Sequence, residues 1–168
     1  MCRGRVPDSD NTLYAEVIIA WRLLLAAGLG AVIGLERERL DRAAGLRTHM
    51  LTSLAAALFT ILTFEIYAGL HAQEGAATNG DPLRIIQAVT AGVAFLAAGA
   101  IFRSGEDVKG LTTGAGMWLA GAIGVACGAG YYLVAVMAAL LAAFILVVVR
   151  WIESHLGVKE PRSEKSDD

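Results

Sequence analysis

The sequence predicts an all-α integral membrane protein, a bundle of five transmembrane helices arranged as two similar hairpins plus one helix. Three observations carry this. The 168 residues are 56% hydrophobic and only 18% charged, with a mean hydropathy of +0.57, which is too little polar surface for a soluble domain of this size. The 39 residues from Leu111 to Val149 contain no Asp, Glu, Lys or Arg. That run has room for two spans of about 20 residues each. The charges are also concentrated: "GLERERLDRAAGLRTHML", Gly34 to Leu51, holds four arginines and three carboxylates between apolar runs.

The chain divides into a polar N-terminal segment (1–16), a membrane domain (17–150) and a short polar tail (151–168). The first segment is a poor signal peptide, because Asp8, Asp10 and Glu16 precede its apolar run and Arg22 interrupts it. The first helix is expected over about Val17–Leu35 and the second over Thr48–Leu70. The polar stretch His71 to Pro82, "HAQEGAATNGDP", separates the second helix from a third over Arg84–Phe102. The uncharged run then gives a fourth helix over Leu111–Cys127 and a fifth over Tyr131–Arg150. Gly128-Ala129-Gly130 forms the turn between them.

An odd number of spans puts the termini on opposite sides, and positive charge orients them. Arg37, Arg39, Arg42, Arg47, Arg103, Lys109, Arg150, Lys159, Arg162 and Lys165 fall on one side, against Arg3, Arg5, Arg22 and Arg84 on the other. The richer side, with the C-terminus, is therefore expected to be cytoplasmic, and the N-terminus outside. Tyr14, Trp21, Tyr67, Tyr131 and Tyr132 would form the outer aromatic belt, with Trp151 on the inner one.

Helices in lipid associate by close packing, and small residues permit it. Gly30 and Gly34, Ala94 and Ala98, Gly110 and Gly114, and Gly124 and Gly128 recur at that spacing. A weak internal repeat is also visible. "GLRT" (Gly45–Thr48) and "GLTT" (Gly110–Thr113) each open a helix after a loop on the cytoplasmic side. In a repeated hairpin Thr48 and Thr113 would be N-caps, two positive helix ends would converge, and the two loops would touch.

The chemistry is sparse. Net charge is −2 with no basic stripe for nucleic acid, and Cys2 and Cys127 form neither a disulfide framework nor a metal pair. No hydrolase, zinc-protease or phosphate-loop motif occurs. Ser53 is the only serine well placed for intramembrane hydrolysis, but His49 lies one turn before it on the same helix. No enzyme and no cofactor is expected. In the first loop Glu36, Glu38 and Asp41 can pair with the arginines, and Glu38 and Arg42 stand four apart on a helix continuing toward Gly45. Exposed pairs stabilise by at most about 1 kcal/mol, too little to account for so dense a cluster. Within the membrane, Glu65 is a functional candidate with Arg22 or Arg84 as partner. Gln87 and Thr90 offer interhelical hydrogen bonds. Trp118 reads as packing, and His71 and His155 as ordinary interfacial residues.

"GAVIGLERERLDRAAGLRTHML" with "SLAAALFTIL", "DPLRIIQAVTAGVAFLAAGAIFR" and "VKGLTTGAGMWLAGAIGVACGAGYY" resemble the membrane domain of the bacterial MgtC/SapB family over about Leu24 to Leu146. The family often has glycine where this chain has Ala94 and Ala97. Its longer members carry a cytoplasmic C-terminal domain for which the eighteen residues after Arg150 are too few. The resemblance implies an inner-membrane protein linked to growth in low magnesium, in pathogens to survival inside macrophages, and in some members to the proton-translocating ATP synthase.

Two function classes follow. One is a regulatory protein engaging another membrane protein or a second copy of itself. The other is an ion-binding or magnesium transport protein, with Glu36, Glu38 and Asp41 as hard oxygen ligands. Four arginines in the same loop oppose cation ligation and suit an anionic partner better, so direct magnesium binding stays open. The residues expected to matter are Glu36, Arg37, Glu38, Arg47, Thr48 and His49 from the first loop, with Arg103, Lys109, Thr112 and Thr113 from the second. Glu65, Arg84 and Gln87 are the intramembrane polar group.

Overall fold

A computed structural model describes residues 9–72, 83–104 and 107–156. Cys2, most of the polar stretch before Pro82 and the tail lysines and arginine lie outside them, as do the side chains of His71 and Arg103. Five helices follow in order: α1 (Ser9–Arg39), α2 (Leu46–Ala72), α3 (Leu83–Gly99), α4 (Leu111–Gly128) and α5 (Tyr132–Leu156). A small hairpin, β1 (Phe102–Ser104) and β2 (Asp107–Lys109), joins α3 to α4. Four helices are long and apolar enough to cross a membrane. The 17 residues of α3 measure about 25 Å.

Several boundaries differ from the sequence expectation, most of all at the start of α1, which begins at Ser9 rather than Val17 and so takes in part of the expected polar N-terminal segment. Helix α1 runs on through Glu36 and Arg37 to Arg39, because Glu and Arg propagate helices well. It stops there and does not continue to Gly45. Asp41 turns left-handed (φ 51), and the Arg42 and Asp41 amides bond back to the Arg37 and Glu38 carbonyls. This is a Schellman ending, and it removes Glu38 and Arg42 from a common helix. Helix α3 ends at Gly99 rather than Phe102, and the residues that follow pair as antiparallel strands, Phe102 with Lys109 and Arg103 with Val108. Helix α5 continues past Arg150 to Leu156.

The N-cap expectation also fails at both threonines. Thr48 is the third residue of α2, which begins at Leu46. Helix α4 is preceded by Gly110, left-handed at φ 88 with no side-chain cap, and Thr113 is buried inside the helix. The α4–α5 turn closes with a second Schellman ending, in which Gly130 (φ 85) takes the left-handed position.

Packing is inverted relative to a soluble protein. Ala26 and Ala120 are fully buried, whereas Phe95 and Leu133 are 81% and 73% exposed. Small residues inside and large apolar ones outside are what a lipid solvent selects. The main core joins Ala26 and Ile33 of α1, Ala57 of α2, Ile123 and Cys127 of α4, and Ala135 and Ala139 of α5. Helix α4 is central and touches the other four, while α3 packs on α4 and only lightly on α2.

Two of the four small-residue pairs form the tightest crossings. A methyl added at Gly30 would stand 2.6 Å from the His49 carbonyl oxygen, and at Gly34 2.8 Å from Leu46 Cα. On α4, Gly124 abuts the Ser53 backbone, and a methyl at Gly128 would lie 2.6 Å from the Ala57 oxygen. Helices α2 and α4 therefore run parallel, so α3 must recross between them. Ala94 and Ala98 are exposed, contrary to expectation, because α3 turns Val89, Val93 and Ala97 inward instead.

Candidate functional site: a buried polar junction

The last turns of α1, the first turns of α2 and the second turn of α4 meet at one end of the bundle. Arg37 projects from the same face of α1 as Gly30, Gly34 and Ile33. Its side chain is only 7% exposed, and Nε lies 2.8 Å from Glu36 Oε2, itself on a side chain 13% exposed. The contact is an ion pair without hydrogen-bond alignment. Helix α2 places His49 beside Gly34 and Ser53 beside Gly30, and both are fully buried. His49 Nδ1 lies 2.8 Å from the Gly45 carbonyl oxygen. A carbonyl only accepts, so Nδ1 carries the proton and the neutral ring keeps its lone pair on Nε2. That nitrogen faces Gly116 of α4, where a methyl would lie 3.1 Å away.

Around this junction the other expected residues separate. The Glu38 carboxylate accepts the Leu46 amide at 2.9 Å and so caps α2. It lies against Gly45, where any side chain would displace it. Arg47 and Thr112 are exposed, Thr48 and Lys109 are half-buried, and Thr113 is buried. The Arg103 side chain lies outside the described residues, though its backbone pairs with Val108. Ala44 of the α1–α2 connection shares one buried apolar cluster with Ala97, Ala100 and Met117.

The intramembrane candidates are not brought together. Glu65, Arg84, Gln87 and Thr90 are exposed, and among the described residues no ion pair reaches Glu65. Arg22 turns elsewhere. It donates from Nε to the Tyr132 hydroxyl and from Nη1 to the Gly128 carbonyl, each at 3.0 Å. One arginine of α1 thus holds the carbonyl end of α4 and the start of α5, an arrangement favoured by the helix dipole. Sequence reasoning placed Ser53 and Gly116 outside the site and gave Arg22 the wrong partner. Ser53 was legible as the residue one turn after His49. Gly116 and the Arg22 contacts are long-range and left no local signal.

Among the described residues no group of three or more His, Cys, Asp or Glu could hold a metal ion. Glu36 and His49 are two such donors, and a guanidinium contacts the first.

This is a multi-pass membrane protein with a charged pair and a histidine sealed into one end of a glycine-packed bundle. A sequence model of the MgtC family matches residues 23–155, and the chain belongs to that family. It is similar to an uncharacterised protein, slr0014, of Synechocystis, 37% identical over 81% of this chain and 54% of the relative. It is also similar to the Escherichia coli K12 protein named "Putative magnesium transporter YhiD", 37% identical over 86% of this chain and 65% of that one. SapB of Bacillus subtilis is 38% identical over 86% of this chain and 62% of its own length. The chain thus spans between about half and two thirds of these relatives. No solved structure matches it.

Proposed function

We propose that the chain is a non-enzymatic regulator of magnesium homeostasis or membrane energetics in the bacterial inner membrane, with the junction end of the bundle facing the cytoplasm. The magnesium connection rests on the family and on the name of the Escherichia coli relative. The single observation favouring regulation over transport is the Glu36–Arg37 contact at 2.8 Å. The most buried carboxylate of the junction is engaged by a guanidinium, and a magnesium ion would have to displace that charge to gain a hard oxygen ligand. The exposed Arg47 and Thr112, together with the half-buried Lys109, then form the rim that meets another membrane protein or a second copy.

The test is flux against contact. Purified protein in liposomes should pass no more magnesium than empty liposomes, while a photo-crosslinker at position 47 should capture one defined neighbour in cells. Magnesium flux that disappears in Glu36→Gln and Glu38→Gln would establish the transport reading instead. A second functional split is expected. Arg37→Ala should abolish growth support in low magnesium while the protein still inserts, and Arg47→Ala should weaken that support without abolishing it.

A further inference from the structure

Two of the five helices outrun the other three at the end opposite the polar junction. Arg22 of α1 donates to the Gly128 carbonyl and the Tyr132 hydroxyl, so it stands level with the α4–α5 turn. Helix α1 continues beyond it to Ser9, about 20 Å further. On α2, Ala57 and Thr60 pack against Gly128, and the helix runs on to Ala72, about 18 Å further. Helix α3 does not accompany them. Its Val93 meets Gly121, and Val125 packs against the cluster that holds its Val89. Its start at Leu83 is therefore near the level of the same turn.

The extension is apolar around most of its circumference. From Leu13 to Trp21 every residue but Ile19 is exposed, and Glu16 is the one charge among them. On α2, Leu62, Phe64 and Ile66 are exposed too. A protein partner covers one face of a helix, whereas a helix that is apolar nearly all round needs an apolar solvent. Lipid therefore reaches Leu13 on this side. On the other side the boundary is lower. Arg84 and Tyr131 are exposed at the level of the turn, and such residues mark the headgroup layer. The tyrosines expected in one outer belt thus lie at two heights, with Tyr14 about 12 Å above the turn.

Tilting the bundle does not remove this mismatch. At the junction end Gly116 of α4 faces Ile33 of α1. From there α1 stays uncharged to Leu35 and α4 to Leu111, an offset of about 4 Å. At the far end, Leu13 stands about 13 Å beyond Arg22 and the turn. A flat bilayer crossing the bundle obliquely would need the two offsets to match. The span lengths differ as well. Leu13 to Leu35 of α1 measures about 34 Å, and the 18 residues of α4 about 27 Å. One hydrocarbon thickness does not suit both.

We propose that the bundle thins the leaflet at its far end. Phospholipid headgroups descend toward Arg84 and Tyr131 beside α3, α4 and α5, while the leaflet keeps its full depth along α1 and α2. The partner is the lipid surface itself, with phosphate as the group that suits Arg84. This goes beyond the regulatory reading and is independent of it, because it concerns the opposite end of the bundle.

The test uses the full chain in dioleoyl phosphatidylcholine nanodiscs, with Cys2→Ser and with Cys127 sealed in the core. Nitroxide labels are placed singly at exposed sites, Val17→Cys and Leu35→Cys on α1, and Tyr131→Cys and Val149→Cys at the two ends of the last span. The sites of each pair are equally far apart along the chain. Depth is read from the balance of relaxation by oxygen and by a water-soluble nickel chelate. In a flat bilayer, tilted or not, the two depths of a pair, each measured from its own surface, add to the same total for both pairs. Thinning should make the Tyr131–Val149 total smaller by about 7 Å. Equal totals would overturn the proposal. So would a Val17 label as open to the nickel chelate as a label in water, because the extension would then stand outside the lipid.

Discussion

Gly45-Leu46-Arg47-Thr48 and Gly110-Leu111-Thr112-Thr113 start two parallel helices at the same end of the bundle, each from its leucine. Their glycines are nonetheless needed for different reasons. Gly110 is left-handed and lies against the Ala100 carbonyl oxygen, so both its backbone angle and its bare Cα are required. Gly45 has no positive φ. It is small because the Glu38 carboxylate crosses it to cap α2. The same four-letter pattern therefore encodes a rigid backbone turn in one copy and a side-chain latch in the other. The latch can be opened by moving one flexible carboxylate, whereas the turn cannot be opened without rebuilding the backbone. The polar junction sits beside the latch.

The largest effect expected from this difference is at Gly110. Alanine there combines left-handed strain with a clash against a main-chain oxygen, together costing about 3 kcal/mol. Reversible unfolding in mixed micelles should show it. A cost below about 1 kcal/mol would mean that the hairpin shifts freely, and the contrast would collapse. Gly124→Ala comes next, at about 2 kcal/mol, because the added methyl meets the Ser53 backbone and Ala56 Cβ. Its effect should also appear as a disturbed His49 environment, since His49 and Ser53 stand one turn apart.

Gly45→Ala should cost less, about 1 kcal/mol, the usual worth of a helix cap. The mechanism can be isolated with a double-mutant cycle. If the methyl acts only by expelling the carboxylate, adding Glu38→Ala to Gly45→Ala should change nothing further. Additive losses would show that Gly45 has a second role.

The fold was legible because its signals are physical and local. Long apolar runs give spans, and glycines at four-residue spacing give crossings at Gly30, Gly34, Gly124 and Gly128. The start of α4 was legible at Leu111, whereas α2 begins at Leu46, two residues before the expected Thr48. What the sequence obscured was direction. Arg37 and Arg47 look equivalent in a charged loop, yet α1 continues through the first of them and buries it, while Arg47 stays exposed on α2. Burial of Arg37 depends on Gly34 letting α2 approach, which is a pairwise property of two helices. Glu65 and Arg22 seemed matched in depth, but the carbonyl end of α4 offered Arg22 a nearer acceptor. Strands β1 and β2 were missed because three-residue strands leave no usable period.

The smallest effect should come from the helix that neither turn holds tightly. Gly92 of α3 would meet nothing within 4 Å if it gained a methyl, and the same is true of Gly99. Helix α3 packs chiefly on α4, through Val93 and Ala97, and leaves Ala91, Gly92 and Phe95 outward. Gly92→Ala therefore meets no steric penalty in the monomer and gains helix propensity of about 0.5–1 kcal/mol. Stability in micelles should stay constant or rise slightly. A clear loss in lipid bilayers that is missing in micelles would show that the α3 face closes against a second copy at close range. Glycine at position 92 would then serve an assembly rather than the fold of one chain, since only a backbone arriving from outside could make that methyl costly.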